Sequence, residues 1–380
     1  MTQPLDPVAC AQELIRCESV TPADGGALDT LQDMLARLGF ECWRLPFQDE
    51  GTERVDNLYA ERRGPAANVC FAGHTDVVPT GDPGAWTVPP FAGEVVGSEL
   101  IGRGAVDMKG AIAAWVAAVS RIPMQAGTLS LLITGDEEGP SVNGTRKLLH
   151  WLADQGIALG CCVVGEPTSG TRLGDTVKIG RRGSLNATIA VYGTQGHTAY
   201  PQHADNPVHR LAAALNDLAH EQFDQGTEHF EPTRLQVTSV DVGNPATNVI
   251  PAYVTANLNV RFNDLWDSFA IERWIQERLD RHCPRNSLAV RVSGESFLSA
   301  PGPLSEALVG ACEEVLGAAP ELGTGGGTSD ARFIKDACPV AELGLKNATA
   351  HQVDERTGVD DLYRLTDVYE AALKRLLEAG

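Results

Sequence analysis

The chain has 380 residues, 43% of them hydrophobic and 21% charged, enough for two or three ordinary domains with ample burial. Its formal net charge of -20 excludes a phosphate-backbone partner, which calls for a basic face, and no apolar run approaches the ~20 residues of a membrane span. Met1 to Pro7 lacks the basic and apolar segments of a secretion signal, and the nine cysteines are scattered without a CxxC pair, so buried thiols in a reducing, cytoplasmic setting are expected.

Taken in chain order, the first half alternates strands and helices. An apolar run at 68–72 ends at Gly73-His74, and an Ala-rich helix is expected over 106–122. A strand at 128–133 ends at Gly135-Asp136-Glu137-Glu138, a helix follows at 144–152, and a buried strand at Cys161–Val164 ends at Gly165-Glu166. Near-continuous apolar strands with helices between them imply an α/β domain with a largely parallel central sheet covered on both faces. The middle of the chain changes rhythm: strand 184–192, helix 206–222, strands 235–242 and 252–262, helix Ser268–His282, strand 288–292. That order, βαββαβ, is the split pattern of an α+β ferredoxin-like domain. Alternation resumes with a helix at 304–316, a strand at 338–343 and a helix at 360–377. The expected division is therefore 1–178 with 295–380 as one domain, and 179–294 as an insertion.

The chemistry-bearing residues collect at strand ends. His74, Glu137, Glu138 and Glu166 each follow a predicted strand, at the edge where open α/β sheets bind ligands. His74 has a carboxylate two residues on, Asp76, suited to orient a metal-bound imidazole; a strand-end histidine is also a common structural residue. Asp107, in Gly104-Ala105-Val106-Asp107-Met108, reads either as a helix N-cap or as a carboxylate bridging two ions. In Asp136-Glu137-Glu138-Gly139 one glutamate can bind metal while its neighbour moves a proton; an exposed acidic turn is the plain alternative. Arg181, Arg182 and Arg261 can clamp carboxylates or serve as salt bridges at the insertion, and the 325–327 glycines with Thr328 and Ser329 offer backbone N–H groups to an anion.

The strings GHTDVVP, GRGAVDMKG, DEEG, GEPT, RRGS, GHTAYP, NVIP, GGGTSDARF and NATAHQVDE occur in the order and spacing of M20-type metallopeptidases, and the chain resembles that family over nearly its whole length. The resemblance implies two zinc ions per subunit, with cobalt able to substitute: one held by His74 and Glu166, the other by Glu138 and His351, with Asp107 bridging. It further implies that Asp76 orients His74, that Glu137 is general base and acid, and that His197 donates to the oxyanion. Arg181, Ser184, Asn248, Arg261, Gly327 and Thr328 match substrate-binding positions. The insertion is similar to the family's dimerisation lid, with His197 and Asn248 reaching the partner subunit's site of a homodimer. Asp354 stands where Asn is frequent, beside His351, in a place to alter its hydrogen bonding.

The branch that the later strings match implies hydrolysis of the N-succinyl amide of LL-2,6-diaminopimelate to succinate and diaminopimelate, a step toward lysine. A sister amidohydrolase acting on acetylornithine or another N-acyl amino acid is the nearest alternative, and a non-catalytic metal-binding or dimerisation protein the more distant one. Paired arginines suit a dicarboxylic acyl group better than acetyl.

Overall fold

The computed structural model describes residues 4–65, 68–220 and 222–378. Residue 221, within the helix expected over 206–222, and residues 1–3 and 379–380 at the outer limits of the expected first domain lie outside the described residues. The chain divides into two compact units. The first runs to Ile179 and resumes over Ser299–Gly323 and from Ser329 onward; the second comprises Gly180–Leu298 with Thr324–Thr328.

The first unit is built on a mixed, mostly parallel eight-stranded sheet. In chain order its strands are β1 (Glu41–Arg44), β2 (Leu58–Arg62), β3 (Val69–His74), β4 (Leu129–Thr134), β5 (Cys161–Val164), β6 (Thr176–Lys178), β7 (Glu321–Gly323) and β8 (Val340–Glu342). Across the sheet they stand β1-β2-β4-β3-β5-β8-β6-β7. From β4 through β3 and β5 to β8 the strands are parallel, while β1 and β2 add antiparallel at one edge and β6 pairs antiparallel with β8. β3 and β4 are buried along their full length, as parallel strands covered on both faces must be.

Register shows which helices cover which face. Phe71 pairs with Leu131 and Tyr59 with Leu132, and adjacent residues of one strand point to opposite faces. Phe71 stacks on Trp115 of the helix Lys109–Val119, and both rings meet Tyr369 of the helix Val359–Glu378. Tyr59 packs with Trp43 and Trp151 on the other face, where the helix Thr145–Asp154 lies. The helix Lys109–Val119 is buried at every position, which its alanines permit at close approach.

The second unit has four antiparallel strands in the order Arg234–Asp241, Tyr253–Phe262, Gly183–Tyr192, Asn286–Gly294. Two helices, Pro207–His220 and Ser268–His282, join them, so the βαββαβ order is the observed one. Strict alternation puts Leu185, Ala187, Ile189 and Val191 under these helices with Val254, Ala256, Leu258 and Val260, while Thr188, Asn257 and Asn259 bond across the polar face. The second unit extends past residue 294 because Phe297–Leu298 pairs back onto Gly180–Arg181. Thr324–Thr328 also belongs to it: the Thr324 hydroxyl donates to the His229 carbonyl, and Arg181 donates to the Gly327 carbonyl at 2.8 Å.

Candidate metal centre

Because β4, β3 and β5 are parallel and in register, His74 against Thr134 and Ala72 against Val164, their C-terminal ends share one edge. His74 is the last residue of β3, Glu137 and Glu138 follow β4, and Glu166 follows β5. His74 is 1% exposed. Its Nδ1 lies 2.8 Å from the Asp76 carbonyl oxygen, to which it donates, so Nε2 is the nitrogen that faces the edge. That Nε2 lies 3.1 Å from Asp107 Oδ1 and 3.7 Å from Glu166 Oε1.

Asp107 is no helix cap. The helix begins at Lys109 behind Met108, and no side chain caps it. The Asp107 carboxylate instead turns one oxygen to each of two histidines, Oδ2 standing 3.2 Å from His351 Nε2. Glu138 Oε1 stands 2.7 Å from the same His351 nitrogen. Two triads result, His74–Asp107–Glu166 and Asp107–Glu138–His351, the ligand atoms of each within 4.8 Å of one another. A third grouping joins His74, Glu137 and Glu138. His351 holds a backbone φ of +62°, an unusual conformation for a residue with a side chain and one that costs on the order of 1 kcal/mol or more.

The loops that carry these groups are fastened by buried polar contacts. The Asp76 carboxylate was expected to orient His74, but the imidazole N–H goes to the Asp76 main chain, and Oδ1 lies 3.7 Å from Nδ1. The carboxylate is spent on the acidic loop, accepting the backbone N–H of Glu137 at 3.3 Å and of Glu138 at 3.0 Å. Asp354, another expected neighbour of His351, accepts instead from the backbone N–H and hydroxyl of Thr87, both at 2.7 Å. Glu355, which sequence reasoning passed over, is fully buried and accepts the N–H groups of Gly104, Val106 and Asp107. Gly344 approaches so closely that a Cβ there would lie 2.3 Å from the Glu166 carbonyl oxygen.

The charge balance of the cluster calls for cations. Burial alone would depress the pKa of His74, yet the hydrogen bond and charge of Asp107, with Asp76 and Glu137, hold it well above its usual value. Hydrogen bonds to Asp107 and Glu138 push His351 up to about 10. Burial would raise Asp107, but His351 and His74 pull it well below the carboxylate range. Burial and the neighbouring Glu166 push Glu137 well above its ordinary value, the condition of a carboxyl group able to hold a proton. Imidazole nitrogens and carboxylate oxygens in two triads fit a pair of borderline divalent ions, with Glu137 left over.

The remaining expected residues belong to the second unit. Ser184 faces Arg261 across the paired strands, and Arg181, 4% exposed, holds the glycine segment through Gly327; Thr328 ends that segment. Burial and then Arg182 lower the pKa of Arg261. His197 and Asn248 come together on a short ribbon in which His197 pairs with Val249, and the Asn248 carbonyl accepts the N–H of Thr198. His197 is exposed, and its Nδ1 accepts the N–H of Ala199 at 3.0 Å, which leaves Nε2–H as an outward donor.

An α/β sheet whose ligand edge carries two such triads offers the donor set of a metal-dependent hydrolase. The chain belongs to peptidase family M20/M25/M40, whose model matches residues 70–375. It is 57% identical over 374 residues to the succinyl-diaminopimelate desuccinylase of Rhodospirillum centenum, covering 97% of each chain. Its fold is similar to that of an M20 family metallo-carboxypeptidase from Sulfolobus solfataricus, with a TM-score of 0.76 at 17% identity over 98% of this chain and 100% of that one. It is also similar to the Bacillus subtilis YXEP protein, a dinuclear metal-binding peptidase, with a TM-score of 0.73 at 14% identity over 98% of both chains. Among the described residues no helix is long and apolar enough to cross a membrane.

Proposed function

We propose that this protein hydrolyses N-succinyl-LL-2,6-diaminopimelate to succinate and LL-2,6-diaminopimelate, a step of diaminopimelate and lysine biosynthesis. The observation that carries the reading is Asp107, whose two carboxylate oxygens stand 3.1 Å and 3.2 Å from the Nε2 atoms of His74 and His351, one histidine in each triad. With high identity to a desuccinylase over nearly the full chain, that geometry supports a two-metal amidohydrolase acting on a succinyl amide.

His74, Asp107 and Glu166 would hold one zinc ion, and Asp107, Glu138 and His351 the other; Co2+, which takes the same nitrogen and oxygen donors, would fit either place. Bound there, the pair would supply an acidified water and a polarised amide carbonyl. Glu137 takes the proton of the attacking water and delivers it to the departing amine, for which a raised pKa suits it. His197, with Nε2–H free, donates to the developing oxyanion. Arg181, Ser184 and Arg261 bind the succinyl and amino-acid carboxylates with Asn248, Gly327 and Thr328. The second unit serves as lid and dimer contact of a homodimer, with His197 and Asn248 completing the partner's site. The nine free cysteines support a cytoplasmic setting.

The test offers zinc-loaded protein N-succinyl-LL-2,6-diaminopimelate and N-acetylornithine side by side. A kcat/KM at least tenfold higher for the succinyl substrate is expected. Preference for the acetyl substrate overturns the substrate while leaving the metal chemistry standing.

A further inference from the structure

Glu355 lies four residues past His351 and directly before the strand Arg356–Gly358, which pairs antiparallel with Glu99–Ile101. That ladder sets Glu355 against the start of the Asp107 loop, where its carbonyl accepts the Gly102 N–H at 2.9 Å. The side chain continues the work of the ladder where the strand stops. Oε1 accepts the N–H groups of Val106 at 2.8 Å and Asp107 at 3.0 Å; Oε2 accepts that of Gly104 at 3.0 Å and a guanidinium N–H of Arg103 at 2.7 Å. Arg103, itself 2% exposed, also donates to the carbonyls of Pro79, His351 and Gln352 at 3.1, 3.4 and 3.3 Å.

These two side chains therefore tie together three loops: the one after His74, the one that carries Asp107 and the one that carries His351. A buried ion pair is a weak source of stability, since a well-packed apolar replacement is usually as stable or more so. What an apolar pair cannot do is accept three main-chain N–H groups and donate to three carbonyls at fixed positions. We propose that Glu355, locked by Arg103, is a positioning residue that sets the Asp107 carboxylate midway between the two triads and so makes both ion positions available at once. The inference rests on the two-metal reading above and goes beyond it, because neither residue is a ligand or a substrate contact.

In Glu355→Gln the amide group turns N–H toward donors that the second carboxylate oxygen accepted. The chelator-stripped variant is titrated with Zn2+ by calorimetry under chelator competition, and its Co2+ complex is followed by visible absorption. Expected are two equivalents, both weakened roughly 10- to 100-fold, and an altered Co2+ spectrum at saturating metal, because Asp107 serves both ions. A folded Glu355→Gln protein with wild-type affinities and a wild-type Co2+ spectrum overturns the proposal. Arg103→Lys keeps the charge but loses the fork that holds Glu355, and is predicted to weaken both triads, less than Glu355→Gln does. It stands as the second test if Glu355→Gln does not fold, and an unchanged isotherm there refutes the locking role. His351→Ala is the control: if it leaves the wild-type stoichiometry intact, the two-metal reading itself has failed, and the proposal with it.

Discussion

Replacing Asp76 by asparagine separates two roles for that residue. The His74 imidazole is fixed by the Asp76 carbonyl, which the substitution leaves in place, whereas the carboxylate accepts the N–H groups of Glu137 and Glu138. An asparagine oxygen can keep the 3.0 Å bond to Glu138 or the 3.3 Å bond to Glu137, and its amide then faces the other N–H. The loss of one charge-assisted bond in a site 1% exposed is worth roughly 1.5–3 kcal/mol, or about 10- to 150-fold. It falls on the Glu138–His351 triad as weaker metal binding and on Glu137 as lower kcat. The His74–Glu166 triad should keep its affinity within about threefold, since its donors are untouched. Calorimetric titration of the stripped protein with Zn2+ measures this, with Glu166→Gln and His351→Ala variants assigning each equivalent to its triad. Equal weakening at the His74–Glu166 triad, or weakening only there, refutes the reasoning and returns the carboxylate to the imidazole.

Glu137→Gln is expected to bind two zinc ions and lose about 10²- to 10⁴-fold in kcat, read by steady-state kinetics beside metal analysis. Arg261→Met should raise KM for the succinyl substrate by about 10- to 100-fold with zinc binding unchanged, and a kcat loss without a KM change counts against the clamp. His351, raised to about 10 in the metal-free protein, holds a proton at pH 7, so zinc loading should release at least one proton per chain, measured by calorimetry in buffers of different ionisation enthalpy. The same shift gives a sign for stability: His351, raised to about 10, contributes fully below its ordinary value of 6.5 and loses that contribution as pH rises through 10. Thermal melts of stripped wild type and His351→Ala should therefore converge toward pH 10. Gly344→Ala drives a Cβ against the backbone of Glu166 and is predicted to cost about 1–3 kcal/mol and to weaken the His74–Glu166 triad, by melting and by zinc titration.

The strand-end placement of His74, Glu138 and Glu166 was legible because apolar runs mark parallel strands and ligand residues follow them directly. The βαββαβ order of the second unit was legible for a similar reason, since alternation such as Leu185, Ala187, Ile189, Val191 is a clear period of two. The antiparallel strands Glu41–Arg44 and Leu58–Arg62 were not: the first is short with a charged residue at each end, and the second is buried throughout and carries two charged residues. Glu355 escaped because its partners are main-chain N–H groups some 250 positions away, which every residue possesses and no spacing announces. Asp76 does meet His74, but through its main chain, which escaped for the same cause. Its own carbonyl, invisible to any motif, had already satisfied the histidine.

The shared carboxylate of Asp107 has a thermodynamic corollary. Two ligand sets with a common member are not independent, and whatever factor the first ion applies to the affinity of the second, the second must return to the first. An ion in the His74 triad would fix Asp107 in the orientation that the His351 triad also needs, while its charge would oppose the arrival of a like neighbour. The balance of those terms sets the population of half-loaded protein at any metal concentration. A measured isotherm that is steeper or flatter than two separate sites thus reports directly on how firmly that one carboxylate is held.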